Sequence, residues 1–280
     1  MTSIIIIFIF VLFLCTVSSE GDEIHNADDH GDISIHPDVV VDAPIRITVL
    51  YDNYLSADGL QTDWGFSCLI EGTEKTILFD TGTKGNILLS NCQKLDVDLS
   101  KVEQVFISHN HGDHTGGLQA FLEINDSVAI YIPGSCSSEL AGKIKKKQAK
   151  AVPVSTPLTL CKGIVSTGEM GDQIKEHSLI LNTSKGLVII TGCSHQGIIN
   201  ILQKAKDLSD KEIYLVFGGF HLLRKPDREV QEIINRFKEL GVKYVGASHC
   251  TGDKVIESFK KEYGDDYIQM GVGKIIEVGN

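Results

Sequence analysis

The sequence predicts an α/β fold, because short apolar segments typical of strands alternate with segments typical of helices. The pattern runs from residue 44 to residue 280, a length that allows one domain with a substantial core. A unit of strand, polar loop and helix recurs along this stretch, and no other internal repeat is evident. Loops that follow strands are where α/β proteins usually place their chemistry, so we look for functional residues there.

The N-terminus predicts export. Residues 4–14 form an unbroken apolar run, and the small residues after it suit signal cleavage after Ser19. The run is shorter than the roughly 20 apolar residues that span a bilayer. We therefore expect a signal peptide over residues 1–19, a secreted protein or one of the secretory-pathway lumen, and no stable membrane association after cleavage. An uncleaved N-terminal anchor is the alternative, because residues 1–3 contain no Lys or Arg.

The distribution of charged residues indicates a linker and restricts the kinds of molecule that the protein binds. Residues 20–43 are polar and acidic, which predicts a flexible linker ahead of a domain at residues 44–280. The formal net charge of -11 disfavours nucleic acid as a partner. The basic residues 143–147 with Lys150 predict a solvated helix face, with a clamp for an anionic substrate as the alternative. Six cysteines follow the leader, which permits disulfides but does not fix their pairing.

Four side chains that commonly bind metals fall within six residues. They are His109, His111, Asp113 and His114. A strand-like segment at residues 102–107 precedes them and a helix-like segment at residues 115–121 follows, so they lie on a loop. Surface histidines without a common purpose are the alternative, but the spacing His-x-His-x-Asp-His is highly restrictive. Imidazole and carboxylate together favour zinc, with manganese or iron as substitutes.

Two later loops repeat this arrangement and supply further candidate ligands. His195 follows a strand-like segment at residues 186–190, and a helical stretch at residues 196–208 comes after it. His249 follows residues 243–247 in the same way. We expect all three loops to lie on the same rim of one sheet. Two divalent ions, most simply zinc, would need this many ligands.

His221 lies on another loop of this kind, directly after two glycines. Glycines allow close backbone approach to an anionic group, so His221 is a candidate substrate-binding residue. A histidine that only begins a helix is an equally open alternative.

These motifs resemble the metallo-β-lactamase superfamily. Three of them narrow the resemblance to the dihydropterin ribofuranosylaminobenzene phosphate synthase branch: Gly-Cys-Ser-His (residues 192–195), Gly-Gly-Phe-His-Leu (218–222) and His-Cys-Thr-Gly (249–252). Asp52-Asn53 and Leu-Phe-Asp-Thr-Gly at residues 78–82 agree with it. The resemblance covers roughly residue 45 to the C-terminus. It implies a four-layer αββα sandwich of the metallo-β-lactamase type, with one or two metals at the edge between the sheets.

The resemblance also implies roles for single residues. One metal would be held by His109, His111 and His195, and a second by Asp113, His114 and His249. Asp113 would in addition serve as a catalytic proton acceptor. Asp80 would orient a ligating imidazole by accepting a hydrogen bond from the ring nitrogen that does not bind the metal. The alternative is an aspartate that only closes a turn. Cys193 would place a thiolate near the metals, or it would be a small buried residue, which we slightly favour.

The chain departs from the branch at a few positions. Asp63-Trp64-Gly65 stands where Glu-His-Gly is expected, and Asn110 and Gly112 replace the usual Gly and Tyr. We expect the change at Trp64 to affect the substrate and to leave the metals untouched.

The sequence predicts a metal-dependent hydrolase that acts on a small anionic substrate through a metal-bound hydroxide. A transferase of the synthase type is the first alternative, because it would need the same metals. A non-catalytic metal-binding protein is the second, although the complete ligand set argues against it.

Overall fold

The structure is a computed structural model, and it describes residues 39–279 except Asp42, Ser137 and Lys146. The predicted signal peptide and most of the predicted linker, residues 20–38, lie outside the described residues. Val41 already packs on the domain, because it is 8% exposed and its backbone N–H donates to Asn182 O at 2.9 Å. Folded structure therefore begins before Pro44. No helix among the described residues is long and apolar enough to cross a bilayer.

Strands of the described chain form two sheets. The strands of the first, in chain order, are β1 (Ile45–Tyr51), β2 (Ser67–Glu71), β3 (Ile77–Phe79), β4 (Gln104–Phe106), β5 (Ala129–Pro133) and β6 (Lys150–Val154). The second contains β7 (Leu158–Cys161), β8 (Ile164–Ser166), β9 (Leu179–Thr183), β10 (Gly186–Thr191), β11 (Ile213–Gly219) and β12 (Tyr244–Ser248). The last strand, β13 (Ile275–Val278), returns to the first sheet. The spatial orders are β13-β1-β2-β3-β4-β5-β6 and β12-β11-β10-β9-β8-β7.

The α-helices connect and cover these strands. They are α1 (Gly85–Lys94), α2 (Gly112–Thr115), α3 (Leu118–Leu122), α4 (Ser138–Lys145), α5 (Ile198–Leu208), α6 (Asp227–Glu239) and α7 (Asp253–Tyr263). In α6 the buried residues Val230, Ile234 and Phe237 recur at helical spacing, which gives the helix one apolar face. Each residue of β9 and β10 is buried, as expected for strands covered on both faces.

Three apolar cores define the layers. One lies between the sheets and includes Phe66, Phe79 and Phe217. A second packs the first sheet against α1, α3 and α4 through residues such as Phe121. A third packs the second sheet against α5, α6 and α7 through residues such as Phe259. The order is therefore helices, sheet, sheet, helices, and the predicted four-layer αββα fold is confirmed.

The candidate residues follow the carboxyl ends of parallel strands, but these strands belong to two sheets. The loop with His109 follows β4, which pairs in parallel with β3 and β5. The loops with His195, His221 and His249 follow β10, β11 and β12, which also pair in parallel. The expectation that all the loops share the rim of one sheet is therefore wrong. Apolar patterning shows that a strand is buried, but it does not show which sheet the strand joins.

Candidate metal centre and substrate cavity

The two sheets approach closely at the candidate site. A Cβ atom on Gly192, after β10, would lie 2.1 Å from the Oγ atom of Ser108, which follows β4. Only glycine leaves room for this contact. The Gly192 position therefore lets the loops of the two sheets face each other.

Backbone strain is concentrated at this site. Five described non-glycine residues have positive φ, and four of them lie here: Asp80 at 49°, Ser194 at 70°, His221 at 54° and His249 at 48°. Such conformations cost free energy and persist only where the surrounding structure holds them. Their clustering is typical of a functional site.

The structure brings the predicted ligands together in two groups. The ring centroid of His109 lies 4.6 Å from that of His111 and 4.7 Å from that of His195. In the second group, Asp113 Oδ2 lies 3.3 Å from His249 Nε2 and 3.7 Å from His114 Nε2. The partition matches the two predicted metal positions. The ligand role of each residue stays a prediction.

Hydrogen bonds fix the tautomers of three of these imidazoles. A carboxylate or amide oxygen can only accept, so the ring nitrogen that faces it carries the proton. His114 Nδ1 donates to Asp80 Oδ2 at 2.7 Å, His195 Nδ1 donates to Glu176 Oε2 at 2.9 Å, and His249 Nδ1 donates to Asn53 Oδ1 at 3.1 Å. In the neutral ring each Nε2 atom then carries a lone pair, the form that a metal ligand needs.

Asp80 extends this arrangement to a fourth imidazole through Ser108. The backbone N–H and the hydroxyl of Ser108 both donate to the Asp80 carboxylate, at 2.7 Å each. Since the hydroxyl proton is used there, His109 Nδ1 donates to Ser108 Oγ at 2.9 Å. In the neutral ring, His109 Nε2 then carries no proton. Asp80 is 0% exposed and contacts the imidazole of His114, and its orienting role stays a prediction.

Two local features fit divalent metals. His109 Nε2 lies 3.0 Å from His111 Nδ1, close to the roughly 3.3 Å that separates two nitrogens on one tetrahedral zinc ion. His249 Nε2 is buried, and no hydrogen bond to a described residue satisfies it. Burying a polar atom without a partner costs free energy, and a metal bound to His249 Nε2 would remove that cost. We conclude that the residues present fit divalent metal binding by nitrogen and oxygen donors.

Cys193 lies where the donor groups meet. It is 3% exposed, and its Sγ atom lies 3.2 Å from His114 Nε2. Its sulfur is also within 4.8 Å of donor atoms of the second group, of two members of the first group and of two further residues: Asp113, His114, His249, His109, His195, His221 and Cys250. Hydrogen bonding with Cys250 and burial raise the pKa of the Cys193 thiol, so metal binding there would have to displace a proton.

Burial and neighbouring charges shift the pKa values of three of these residues in different directions. Burial and the neighbouring imidazoles lower the pKa of His109 well below its usual range. Burial also lowers the pKa of His114, but Asp80 outweighs it and the net pKa is raised. Burial opposes ionisation of Asp113, yet His249 and His114 hold the pKa of this carboxyl below its usual value.

Sequence reasoning missed two supporting residues. Glu176 is 2% exposed and contacts His195, as described above. Asn53 contacts His249 twice, because its Nδ2 atom also donates to the His249 carbonyl at 3.1 Å. The Asp-Asn pair at residues 52–53 was a visible signal for Asn53. Glu176 belongs to no motif.

A cavity of about 600 Å³ opens beside the metal-ligand candidates. Its lining includes Trp64, His221, Leu223, Arg224, Lys225 and Cys250. His221 also lines a second cavity of about 710 Å³ together with His195 and Gln196. The basic residues that line the first cavity are Arg224 and Lys225, which no sequence motif indicated. Lys143 instead lines a separate cavity with Gly112 and Gln119, and Lys147 forms a salt bridge with Glu123.

No disulfide links the six described cysteines. Cys193 and Cys250 come close, with Cys250 Sγ 3.6 Å from the Cys193 carbonyl.

Comparison with known proteins agrees with this geometry. Residues 65–199 match the family model of the metallo-β-lactamase superfamily. The chain is 31% identical over 283 aligned positions to 7,8-dihydropterin-6-methyl-4-(β-D-ribofuranosyl)-aminobenzene-5'-phosphate synthase of Methanocaldococcus jannaschii, with 83% of this chain and 96% of that protein covered. The chain belongs to the metallo-β-lactamase superfamily.

Other relatives of this metallo-β-lactamase superfamily protein extend the comparison. An uncharacterised protein of the same organism is 30% identical over 76% of this chain and 93% of its own length. A solved metal-dependent hydrolase of the β-lactamase superfamily is 29% identical, with a TM-score of 0.71, and covers 84% of this chain and 100% of its own. A metallo-β-lactamase fold protein from Bacillus subtilis, 17% identical with a TM-score of 0.63, covers 84% and 100% and supports the fold alone.

Proposed function

We propose that this protein is a metal-dependent hydrolase of a small substrate that carries an anionic group next to an apolar part. The observation that carries the proposal is the cavity beside the ligand candidates, because its lining combines two kinds of side chain. Trp64 and Leu223 are 46% and 55% exposed and offer apolar surface. His221, Arg224 and Lys225 offer hydrogen-bond donors to an anion.

Divalent metals would be held by His109, His111 and His195 and by Asp113, His114 and His249. When bound, they would polarise the substrate and lower the pKa of a water molecule. The protein would supply orientation. Asp80, Asn53 and Glu176 orient the imidazoles through their hydrogen bonds to His114, His249 and His195. Asp113 would accept a proton.

Arg224 is the best candidate for the anion contact. Among the described residues, no carboxylate forms a salt bridge with it, whereas Lys225 Nζ lies 2.8 Å from Glu229 Oε2. A bidentate guanidinium suits phosphate or carboxylate recognition. His221 lies between the two cavities and is suited to orient the same group.

The test is a panel of small aryl and alkyl esters in matched pairs, one member anionic and one neutral, assayed with zinc- or manganese-loaded protein. We expect turnover of anionic esters, loss of activity on chelation, and little turnover of the neutral partners. Equal turnover of both members would refute the anionic specificity. No turnover of any ester would refute the hydrolase.

A synthase-like condensation is the second candidate, favoured by the 31% identity over nearly the whole named synthase. It predicts that the protein binds a dihydropterin with a leaving group, such as a phosphate ester, on its 6-methyl carbon. The aminobenzene nitrogen of a phosphorylated ribofuranosyl-aminobenzene would form a bond to that carbon, and the phosphate and a proton would be released. Mass spectrometry of such an incubation would detect the joined product. Ester turnover without this product would favour the hydrolase.

A further inference from the structure

Trp64 is the single tryptophan of the chain, and it contacts only one of the two donor groups. Its Nε1 atom donates to Asp113 Oδ2 at 2.9 Å, and its ring centroid lies 5.0 Å from that of His249. Within the described residues it makes no hydrogen bond or ring contact with His109, His111 or His195. The expectation that this position bears on the substrate alone was therefore too narrow.

The oxygen that Trp64 contacts is the one that faces the imidazoles. Asp113 Oδ2 lies 3.3 Å from His249 Nε2 and 3.7 Å from His114 Nε2. A carboxylate oxygen has two lone-pair sites, so one can accept the indole N–H while the other faces a metal. The Asp113 side chain is 19% exposed. Without the indole it would be able to turn towards solvent.

The backbone of Trp64 is itself held in place. Its N–H donates to Asp63 Oδ1 at 2.8 Å, and Asp63 forms a salt bridge with Lys84 at 2.7 Å. The Thr83 hydroxyl donates to the Trp64 carbonyl. Because its backbone is held, the Trp64 side chain can hold the Asp113 carboxylate in position, although nearly half of the tryptophan is exposed.

We propose that Trp64 is a positioning residue that holds Asp113 for metal binding and thereby sets the metal affinity of the group formed by Asp113, His114 and His249. This inference rests on the metal binding assumed in the proposed function. A change at Trp64 should therefore alter the affinity of the second donor group for its metal and leave that of the first donor group unchanged. It also makes the indole a built-in reporter of that metal.

The first experiment is a zinc titration of the metal-free protein, followed by tryptophan emission. We expect the emission to change as the second donor group fills. The change should persist in His111→Ala, which damages the first group, and should disappear in His249→Ala. Binding of two zinc equivalents without any change in emission would overturn the inference. Binding of no zinc would instead refute the metal-dependent function.

The second experiment compares two conservative variants by zinc competition with a chromophoric chelator. Trp64→Phe keeps an aromatic ring over His249 but lacks the N–H, and we expect a 10–100-fold loss of affinity for one zinc ion. Tyr54→Phe is the matched control, because it removes a 2.7 Å hydrogen bond to Asp253, a carboxylate outside the donor groups. Its zinc affinity should be unchanged. Wild-type affinity in Trp64→Phe, or an equal loss in Tyr54→Phe, would contradict the proposal.

Discussion

Glu176 Oε2 lies 2.9 Å from His195 Nδ1, and the two side chains are only 2% and 9% exposed. Glu176 follows β8 and lies in the segment that pairs with Met170 before β9 begins. The contact fixes both the tautomer and the ring orientation of a predicted ligand. Glu176 Oε1 is buried and forms no hydrogen bond with a described residue, so the carboxylate has no other evident role.

Glu176→Ala should weaken zinc binding 10–100-fold at the group formed by His109, His111 and His195, because His195 loses its orienting acceptor. Chelator competition measures this affinity. Glu169→Ala is the control, since Glu169 accepts from the Ser135 backbone N–H in the same region and contacts no predicted ligand. Unchanged zinc affinity in Glu176→Ala would show that His195 does not need the contact.

The purified protein should bind close to two zinc ions per chain, and His111→Ala should lose at least one. The reason is that His111 Nδ1 and His109 Nε2 lie 3.0 Å apart, close enough to bind one metal ion together. Elemental analysis after loading with excess metal gives the stoichiometry, and circular dichroism checks the fold of the variant. Less than about half an equivalent in the wild type would contradict the two-metal interpretation.

The sequence alone could indicate ligand candidates because metal chemistry restricts residue type and spacing. The run from His109 to His114 needed no structure to be noticed, and His195 and His249 each followed a buried strand. The αββα layering came from the family resemblance, since alternation of strands and helices alone indicates only the α/β class.

The residues that support the site were harder to find. Glu176 is distant in sequence from His195 and lies on an irregular segment, so no pattern connects them. Arg224 and Lys225 look like ordinary surface residues ahead of α6, and only the cavity relates them to His221. The contact between Trp64 and Asp113 joins residues 49 positions apart. Contacts of this kind join loops that are distant in sequence but follow strands of the same sheet, and local sequence does not encode which loops become neighbours.

His221→Ala should raise KM for an anionic substrate more than it lowers kcat, because a positioning contact is present in both the ground state and the transition state. Steady-state kinetics measure KM and kcat. Metal analysis measures the metal content of the variant, which should stay unchanged. Lys254→Ala is a control, since this lysine pairs with Asp227 and does not line the cavity. Loss of metal in His221→Ala would identify His221 as a metal ligand and would contradict its proposed contact with the substrate.

His177 makes stability depend on pH. It is 1% exposed, its Nε2 atom donates to the Ile107 carbonyl at 2.9 Å, and its ring stacks on Phe106. Burial lowers the pKa of His177 from 6.5 to about 3. Between these two values the unfolded chain binds a proton that the folded protein does not. The stabilising contribution is therefore complete above about pH 6.5 and is lost as the pH falls towards 3.

The free energy of unfolding should fall with decreasing pH more steeply in the wild type than in His177→Gln, which does not titrate. The difference in slope should approach about 1.4 kcal/mol per pH unit at most. Urea denaturation of metal-free protein from pH 7 to pH 4 measures both curves and removes any contribution from metal release. His177→Gln should also be less stable at pH 7, because the ring packs between Phe106 and Ser166 Oγ, with which Nδ1 is hydrogen-bonded. Parallel curves for the two proteins would show that His177 becomes protonated without unfolding the chain.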